Sequence, residues 1–291
     1  MTDPINARSL PGIGRYYQHP KTGELWPSVT NVIGTGVNKP TLVPWAAKVT
    51  AEAAARQAPR LAAAMRHRPC RARRPADRCG VCTDCIVREI KGEHKVLKEQ
   101  AAGLGSRIHA LTEAAVLGKP GPDDPEAEPF VEQALQFYSD FGVDIEHDVE
   151  AAEATVINRT AGYAGTLDVL VWLDMGDGRQ LTVLDYKTST TRPADSVYPE
   201  YGLQVAALAA AEQVLLPDGS EEPLPRPRQT AILNLRADRY ALMPMPTHGT
   251  LDGAYQAFLG CLATTRWMHA DRDAEKPVPT QPPSHQSRKA A

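Results

Sequence analysis

The chain has 291 residues, a formal net charge of −3, 42% hydrophobic residues and 23% charged residues. This composition is typical of a globular protein, and no segment approaches the roughly 18 to 20 consecutive apolar residues that a membrane helix requires. The N-terminus also lacks the apolar segment of a secretory signal. We therefore expect a cytoplasmic protein whose five cysteines stay reduced.

The first half of the chain is predicted to be largely helical. Residues 15–37 mix aromatic, β-branched and turn-forming residues and are predicted to be irregular, and a helix is expected to begin just after Pro44. A second helix is predicted over about residues 86–117, followed by Gly118 and Pro120, and a third helix ends near Phe141.

The second half changes to a strand pattern, with strands predicted over residues 149–157, 166–173 and 181–186. A helix over residues 201–216, a loop over residues 217–228, two strands in "QTAILNL" and "RYALMPM" and a last helix over residues 253–270 follow. This order predicts an α/β fold with a central mixed β-sheet flanked by helices.

The domain organisation follows from the same pattern. We expect one domain over residues 1–272, with a basic, cysteine-rich insertion at about residues 66–88 in its helical N-terminal part. Residues 273–291 are rich in proline and polar residues and are predicted to be a disordered tail.

The insertion lies in a strongly basic stretch. Between Arg56 and Arg78 the sequence has eight arginines and a single acid. Such a patch suits a nucleic acid, with Arg71, Arg73 and Arg74 as candidate DNA contacts; a solvated basic loop is the alternative.

Acidic residues meet at the end of the predicted hairpin whose turn has the sequence "DMGDGR". A two-residue loop of Gly176 and Asp177 puts Asp168 opposite Asp185, and a loop shifted by one residue puts Asp168 opposite Lys187. In both registers the three side chains share one face of the sheet, because side chains alternate with a period of two.

Two facing carboxylates repel each other unless a positive charge lies between them. A surface salt bridge is the simpler interpretation, but a divalent cation suits two acids at the end of an apolar strand better than one ammonium does. Glu153 on the preceding strand is a further candidate, or a plain surface residue. Tyr201 and Gln204, one helical turn apart, are placed to orient a phosphate or the attacking water.

Four sequence elements occur in a characteristic order: "GSRIH", "GYAGTLD", "LDYKTS" and "YGLQVAALAAAE". Together they resemble the PD-(D/E)XK nuclease superfamily, and most closely its RecB-like branch, which includes many phage exonucleases and CRISPR-adaptation nucleases. The resemblance runs from about Ser28 to the last helix. It implies a restriction-endonuclease-like core in the cytoplasm of a bacterium or a phage-infected host.

The resemblance also implies roles for individual residues. His109, Asp168 and Asp185 would bind Mg²⁺ or Mn²⁺, which acts as a Lewis acid and makes a bound water more acidic. Lys187 would stabilise the negative charge that develops during cleavage, and Gln204 matches the glutamine of the branch's QxxxY motif.

The sequence departs from the family at the tyrosine of that QxxxY motif, where it has Leu208. Any contact that the tyrosine makes in relatives would here fall to Tyr201.

Four cysteines, Cys70, Cys79, Cys82 and Cys85, have the spacing C-x8-C-x2-C-x2-C. Four reduced thiols this close are typical metal ligands. The CxxCxxC run favours a [4Fe–4S] cluster, which also occurs in the RecB-like branch, whereas a structural Zn²⁺ is the alternative. Relatives with a cluster usually place one cysteine before the nuclease core and three after it, but all four here precede His109.

The sequence therefore predicts a metal-dependent DNA nuclease, most simply an exonuclease in recombination, replication or repair, with DNA ends as its substrate. The alternatives are an endonuclease on the same scaffold and a nucleic-acid-binding module that does not cut. A recombination or replication protein is a candidate partner.

Overall fold

The structure, a computed structural model, describes residues 6–70 and 78–270. Its central element is a seven-stranded sheet of β4 (Val149–Asn158), β5 (Tyr163–Asp174), β6 (Arg179–Thr188), β7 (Gln213–Leu215), β8 (Glu221–Pro223), β9 (Gln229–Leu235) and β10 (Tyr240–Met245). The strand order is β10-β9-β6-β5-β4-β7-β8, and β6 pairs with β9 in parallel while the other pairs are antiparallel. The prediction of a mixed sheet is confirmed.

The helices are α1 (Val29–Gly36), α2 (Leu42–Arg56), α3 (Ala58–Ala64), α4 (Thr83–Val116), α5 (Glu128–Asp140), α6 (Ile145–Asp148), α7 (Pro199–Ala209) and α8 (Leu251–His269). None of these helices combines the length and the hydrophobicity that crossing a bilayer requires. The tail over residues 273–291 lies outside the described residues.

Both faces of the sheet are covered by helices. On one face α1, α7 and α8 pack through residues such as Val32, Val205 and Phe258. On the other face α4 and α5 pack through residues such as Ile108 and Phe137. Because both faces are buried, β5 and β6 read as nearly continuous apolar runs, which the acids interrupt.

The N-terminal segment differs from the prediction of irregular structure. It forms a three-stranded sheet of β1 (Ala7–Leu10), β2 (Gly14–Gln18) and β3 (Leu25–Pro27), followed by α1. Tyr17 and Trp26 of this small sheet are buried against the central sheet. Its first turn depends on Gly14, which has a φ of 94° and whose position leaves no room for a Cβ beside Asn31.

A second difference concerns the helix predicted over residues 201–216. Helix α7 ends at Ala209, and the residues after it pair as β7 with β4. The predicted loop after it likewise contains β8. An alanine-rich helical pattern thus gives way to a strand because the edge of β4 offers unpaired backbone groups.

The cysteine-rich segment lies between α3 and α4 and continues into the first turn of α4, which contains Cys85. Helix α4 begins at Thr83, so its first turns occupy the end of the predicted insertion, and α3 ends at Ala64 before the start of that insertion. Residues 71–77 lie outside the described part of the chain.

Candidate metal centre and cleft

Three carboxylates lie in a row across neighbouring strands of the sheet. The registers of β4 with β5 and of β5 with β6 align Glu153, Asp168 and Asp185, which we call the acidic row. The register of the β5–β6 hairpin is therefore the one that puts Asp168 opposite Asp185. Its last pair is Asp174 with Arg179.

Asp168 lies where the regular pairing of β5 and β6 stops. Instead of a backbone pair, its Oδ2 accepts a hydrogen bond of 2.8 Å from the backbone N–H of Tyr186. The Asp168 side chain is 10% exposed, so this bond fixes a nearly buried carboxylate at the end of the ladder.

His109 approaches the acidic row from α4. Its Nδ1 lies 3.5 Å from Asp168 Oδ2 and 4.0 Å from Glu153 Oε1. The ligand atoms of these three residues all lie within 4.8 Å of one another. An imidazole and two carboxylates at this spacing form a donor set that fits Mn²⁺ or Mg²⁺.

Glu153 has a strained backbone and a perturbed carboxyl group. Its φ is 47°, in the left-handed region that residues other than glycine rarely adopt. Burial, together with the charges of Asp168, Glu113 and Asp185, raises the pKa of Glu153 to about 8. A bound cation would remove this cost, because it stabilises the ionised carboxylate.

The carboxylate of Asp185 contacts other side chains and is not part of the group formed by His109, Glu153 and Asp168. Its Oδ1 accepts a hydrogen bond of 2.6 Å from Gln204 Nε2, and its Oδ2 contacts Lys187 Nζ without accepting a hydrogen bond of acceptable geometry. Burial raises the pKa of Asp185 to about 6, although Lys187 acts against the shift. The three potential metal-binding side chains that lie together thus include Glu153, a further candidate from the sequence, while the predicted ligand Asp185 lies beside them.

Lys187 points into the site from the end of β6. Burial opposes its charged form, but Asp185 and Asp168 outweigh this and hold the pKa of Lys187 above its ordinary value. The ammonium also lies 5.2 Å from the centre of the Tyr201 ring, a cation–π distance. Tyr201 therefore contacts Lys187. Leu208, at the position of the motif's tyrosine, is buried beside Gly165.

A cleft of about 980 Å³ is lined by the acidic row together with His109, Lys187 and Gln204. Its walls include three residues that the sequence did not single out: Arg15, Tyr17 and Glu113. Glu113 follows His109 by one helical turn, a spacing that could have indicated it. The positions of Arg15 and Tyr17 depend on the small N-terminal sheet and had no signal in the sequence.

A buried arginine supports the segment that joins β6 to α7. Arg236, at the end of β9, donates hydrogen bonds of 2.6 Å to the carbonyl of Arg192, 2.8 Å to that of Pro193 and 3.3 Å to that of Lys187. Burial lowers its pKa. The segment connects Lys187 to Gln204, so Arg236 fixes the two sides of the site relative to each other.

The four cysteines form a second cluster, with their sulfur atoms all within 4.8 Å of one another. The sulfur of Cys85 lies 3.2 Å from that of Cys70 and 3.8 Å from that of Cys79. The backbone N–H groups of Cys70 and Cys85 lower the pKa of Cys82 to about 6, which favours a thiolate. This donor set is compatible with a metal ion or an iron–sulfur cluster.

The basic stretch beside these cysteines is partly neutralised. Arg56 pairs with Glu93 and Arg60 with Glu89, each at 3.0 Å, so acids of α4 offset arginines that the sequence presented as a free patch. Three predicted DNA contacts, Arg71, Arg73 and Arg74, lie outside the described residues.

No family model matches this chain, and no curated protein matches its sequence. Among solved structures the chain is similar to one described as "Crystal structure of SSO0001", with 11% identity and a TM-score of 0.28. The match covers 58% of this chain and 87% of that chain. A likeness with so low a TM-score does not establish a shared fold.

Proposed function

We propose that this protein is a metal-dependent DNA nuclease that hydrolyses phosphodiester bonds, most simply as an exonuclease in recombination, replication or repair. The observation that supports the proposal is the meeting of His109, Glu153 and Asp168 beside the Asp185–Lys187 pair in one cleft. The resemblance of its motifs to the PD-(D/E)XK superfamily points to the same chemistry.

In this proposal different side chains bind the cation and stabilise the developing negative charge. His109, Glu153 and Asp168 would hold a divalent cation, which when bound supplies Lewis-acid polarisation of the phosphate and a more acidic water. Water attack forms a bond to phosphorus while the bond to the leaving oxygen breaks. Lys187 stabilises the negative charge that develops on the phosphate oxygens. Asp185, which accepts a hydrogen bond from Gln204, holds Lys187 in place.

The test is cleavage of end-labelled linear DNA and of covalently closed circular DNA with Mg²⁺ or Mn²⁺. We expect the wild type to degrade linear DNA, and Asp168→Asn and Lys187→Met to lose this activity while they stay folded. Lys119→Met, an exposed lysine outside the cleft, serves as the matched control and should cut at the wild-type rate. Full activity in both site variants would refute the proposed site.

Covalently closed circular DNA distinguishes an exonuclease from an endonuclease. If they survive, the enzyme requires an end; if they are linearised quickly, it is an endonuclease.

A second candidate function is a nucleic-acid-binding module that does not cut. One observation favours it: both oxygens of Asp185 face Gln204 and Lys187 rather than the possible cation. DNA binding without cleavage at any concentration of Mg²⁺ or Mn²⁺ would support this second function.

For the four-cysteine cluster we propose a single structural Zn²⁺. Zinc–sulfur bonds of about 2.3 Å place the sulfurs of a tetrahedral site roughly 3.8 Å apart. The sulfur of Cys85 lies 3.8 Å from that of Cys79 and, more closely, 3.2 Å from that of Cys70. A [4Fe–4S] cluster binds each sulfur to a different iron and spreads the sulfurs more widely. Colourless protein with one zinc per chain would support Zn²⁺, and brown protein with equal iron and sulfide would support the cluster.

A further inference from the structure

Helix α4 has an exposed basic surface that the neighbouring arginine-rich stretch obscures in the sequence. Arg88, Lys91, Lys95 and Lys98 recur at intervals of three and four residues, so they lie on one face of the helix. All four are exposed. We call these four residues the basic track; it extends about 15 Å along the helix axis.

The basic track leads to the candidate active site. The same helical spacing continues through Ala102 and Ser106 to His109, and these three residues line the cleft. Lys98 lies about 16 Å along the axis from His109. One straight face of α4 therefore connects the track with the metal ligands.

The acids of α4 leave the three lysines of the basic track without an ion pair among the residues that the structure describes. Glu89 and Glu93 point to the other side of the helix, where they pair with Arg60 and Arg56. Asp84, one turn before Arg88, and Glu99 are the acids beside the track. Within the part of the chain that the structure describes, Lys91, Lys95 and Lys98 form no ion pair. A merely solvated helix face has no reason to separate its charges in this way.

We propose that the basic track binds the phosphate backbone of the nucleic-acid strand whose end lies in the cleft. Lysines on one face, without aromatic or amide groups to read bases, suit a polyanion bound without regard to sequence. The inference deepens the proposed nuclease function and rests on it, because the cleft gives the strand its end point.

The experiment compares wild type with the triple variant Lys91→Gln, Lys95→Gln and Lys98→Gln, in which glutamine keeps side-chain length and helix propensity. Binding of a fluorescent 30-nucleotide single-stranded DNA is measured by anisotropy without Mg²⁺ or Mn²⁺, across a range of salt concentrations. We expect affinity at low salt to fall roughly tenfold and the salt slope to fall by about 2, at 0.7 for each lysine lost.

The charge-matched control is Lys21→Gln, Arg226→Gln and Arg228→Gln, three exposed residues outside α4 and the cleft. It should keep the wild-type slope. A second readout uses a trinucleotide, which is too short to reach Lys98: the track variant should cut it at the wild-type rate, yet lose kcat/KM on the 30-nucleotide strand.

The outcomes separate the two proposals. An unchanged salt slope in the track variant overturns the basic track, whether or not the enzyme cuts. A reduced slope in a protein that cuts nothing supports the track and counts against the nuclease function.

Discussion

The raised pKa of Glu153 predicts that, without a divalent cation, stability falls as the pH rises. The pKa is about 8 in the folded chain and about 4.5 in the unfolded chain, so the folded state keeps a proton that the unfolded state has lost. The contribution of this group to stability is fully present below pH 4.5 and is lost as the pH rises through 8.

The magnitude follows from linkage. Between about pH 6.5 and 8.5 the loss is about 2 kcal/mol for a carboxyl group with a pKa near 8. The Glu153 side chain is only 24% exposed, so solvent screens little of the effect. The pKa of Asp185, about 6, places its own titration largely below this window.

The assay is urea unfolding at the two pH values in buffer without Mg²⁺, Mn²⁺ or chelator, so that the Zn²⁺ proposed for the cysteines would stay in place. Glu153→Gln mimics the protonated acid, so its stability should stay level and exceed that of wild type by about 2 kcal/mol at the higher pH. Added Mn²⁺ should restore the stability of wild type at the higher pH and leave that of Glu153→Gln unchanged. The exposed Glu222→Gln is the control, and an equal loss of stability in wild type and Glu153→Gln would refute the reasoning.

Four further outcomes are expected. Glu153→Gly should be about 1 kcal/mol more stable than Glu153→Ala in urea unfolding, because glycine adopts the positive φ without strain. Lys187→Met should slow cleavage at least 100-fold, about 3 kcal/mol of barrier, with unchanged DNA affinity. Arg236→Met should lower unfolding free energy by about 3 kcal/mol, since buried carbonyls lose their donor, and Arg236→Lys should restore part of it. Cys82→Ser should release the bound metal and lower Tm, yet leave trinucleotide cleavage intact.

The strands of the central sheet were predictable because their signals are local. Apolar runs marked β4, β5 and β6, and the turn sequence limited the hairpin to registers that put Asp168 on one face with Asp185 and Lys187. That His109 lies near these acids was predicted only from the family resemblance, because the local sequence of a helix does not show which residues a histidine contacts.

What the sequence could not predict depends on distant contacts. Strand β7 lies in a stretch that reads as helix, and it forms because β4 is available for pairing. The pairing of Arg56 with Glu93 joins residues 37 positions apart. Glu153 lies together with His109 and Asp168, and its positive φ of 47° has no signal in the local sequence.

The buried residues of helix α4 lie in two separate groups. It buries Cys85, Ile86 and Ile90 near its start and Leu104 and Ile108 farther on, with no buried residue between positions 90 and 104. The rest of the protein therefore holds α4 at these two groups, and the residues between them are not buried. The amide hydrogens of the middle of α4 should exchange faster than those at its two buried groups. If the cysteines hold the proposed Zn²⁺, its removal should let unfolding spread from residues 85–90 only as far as Leu104.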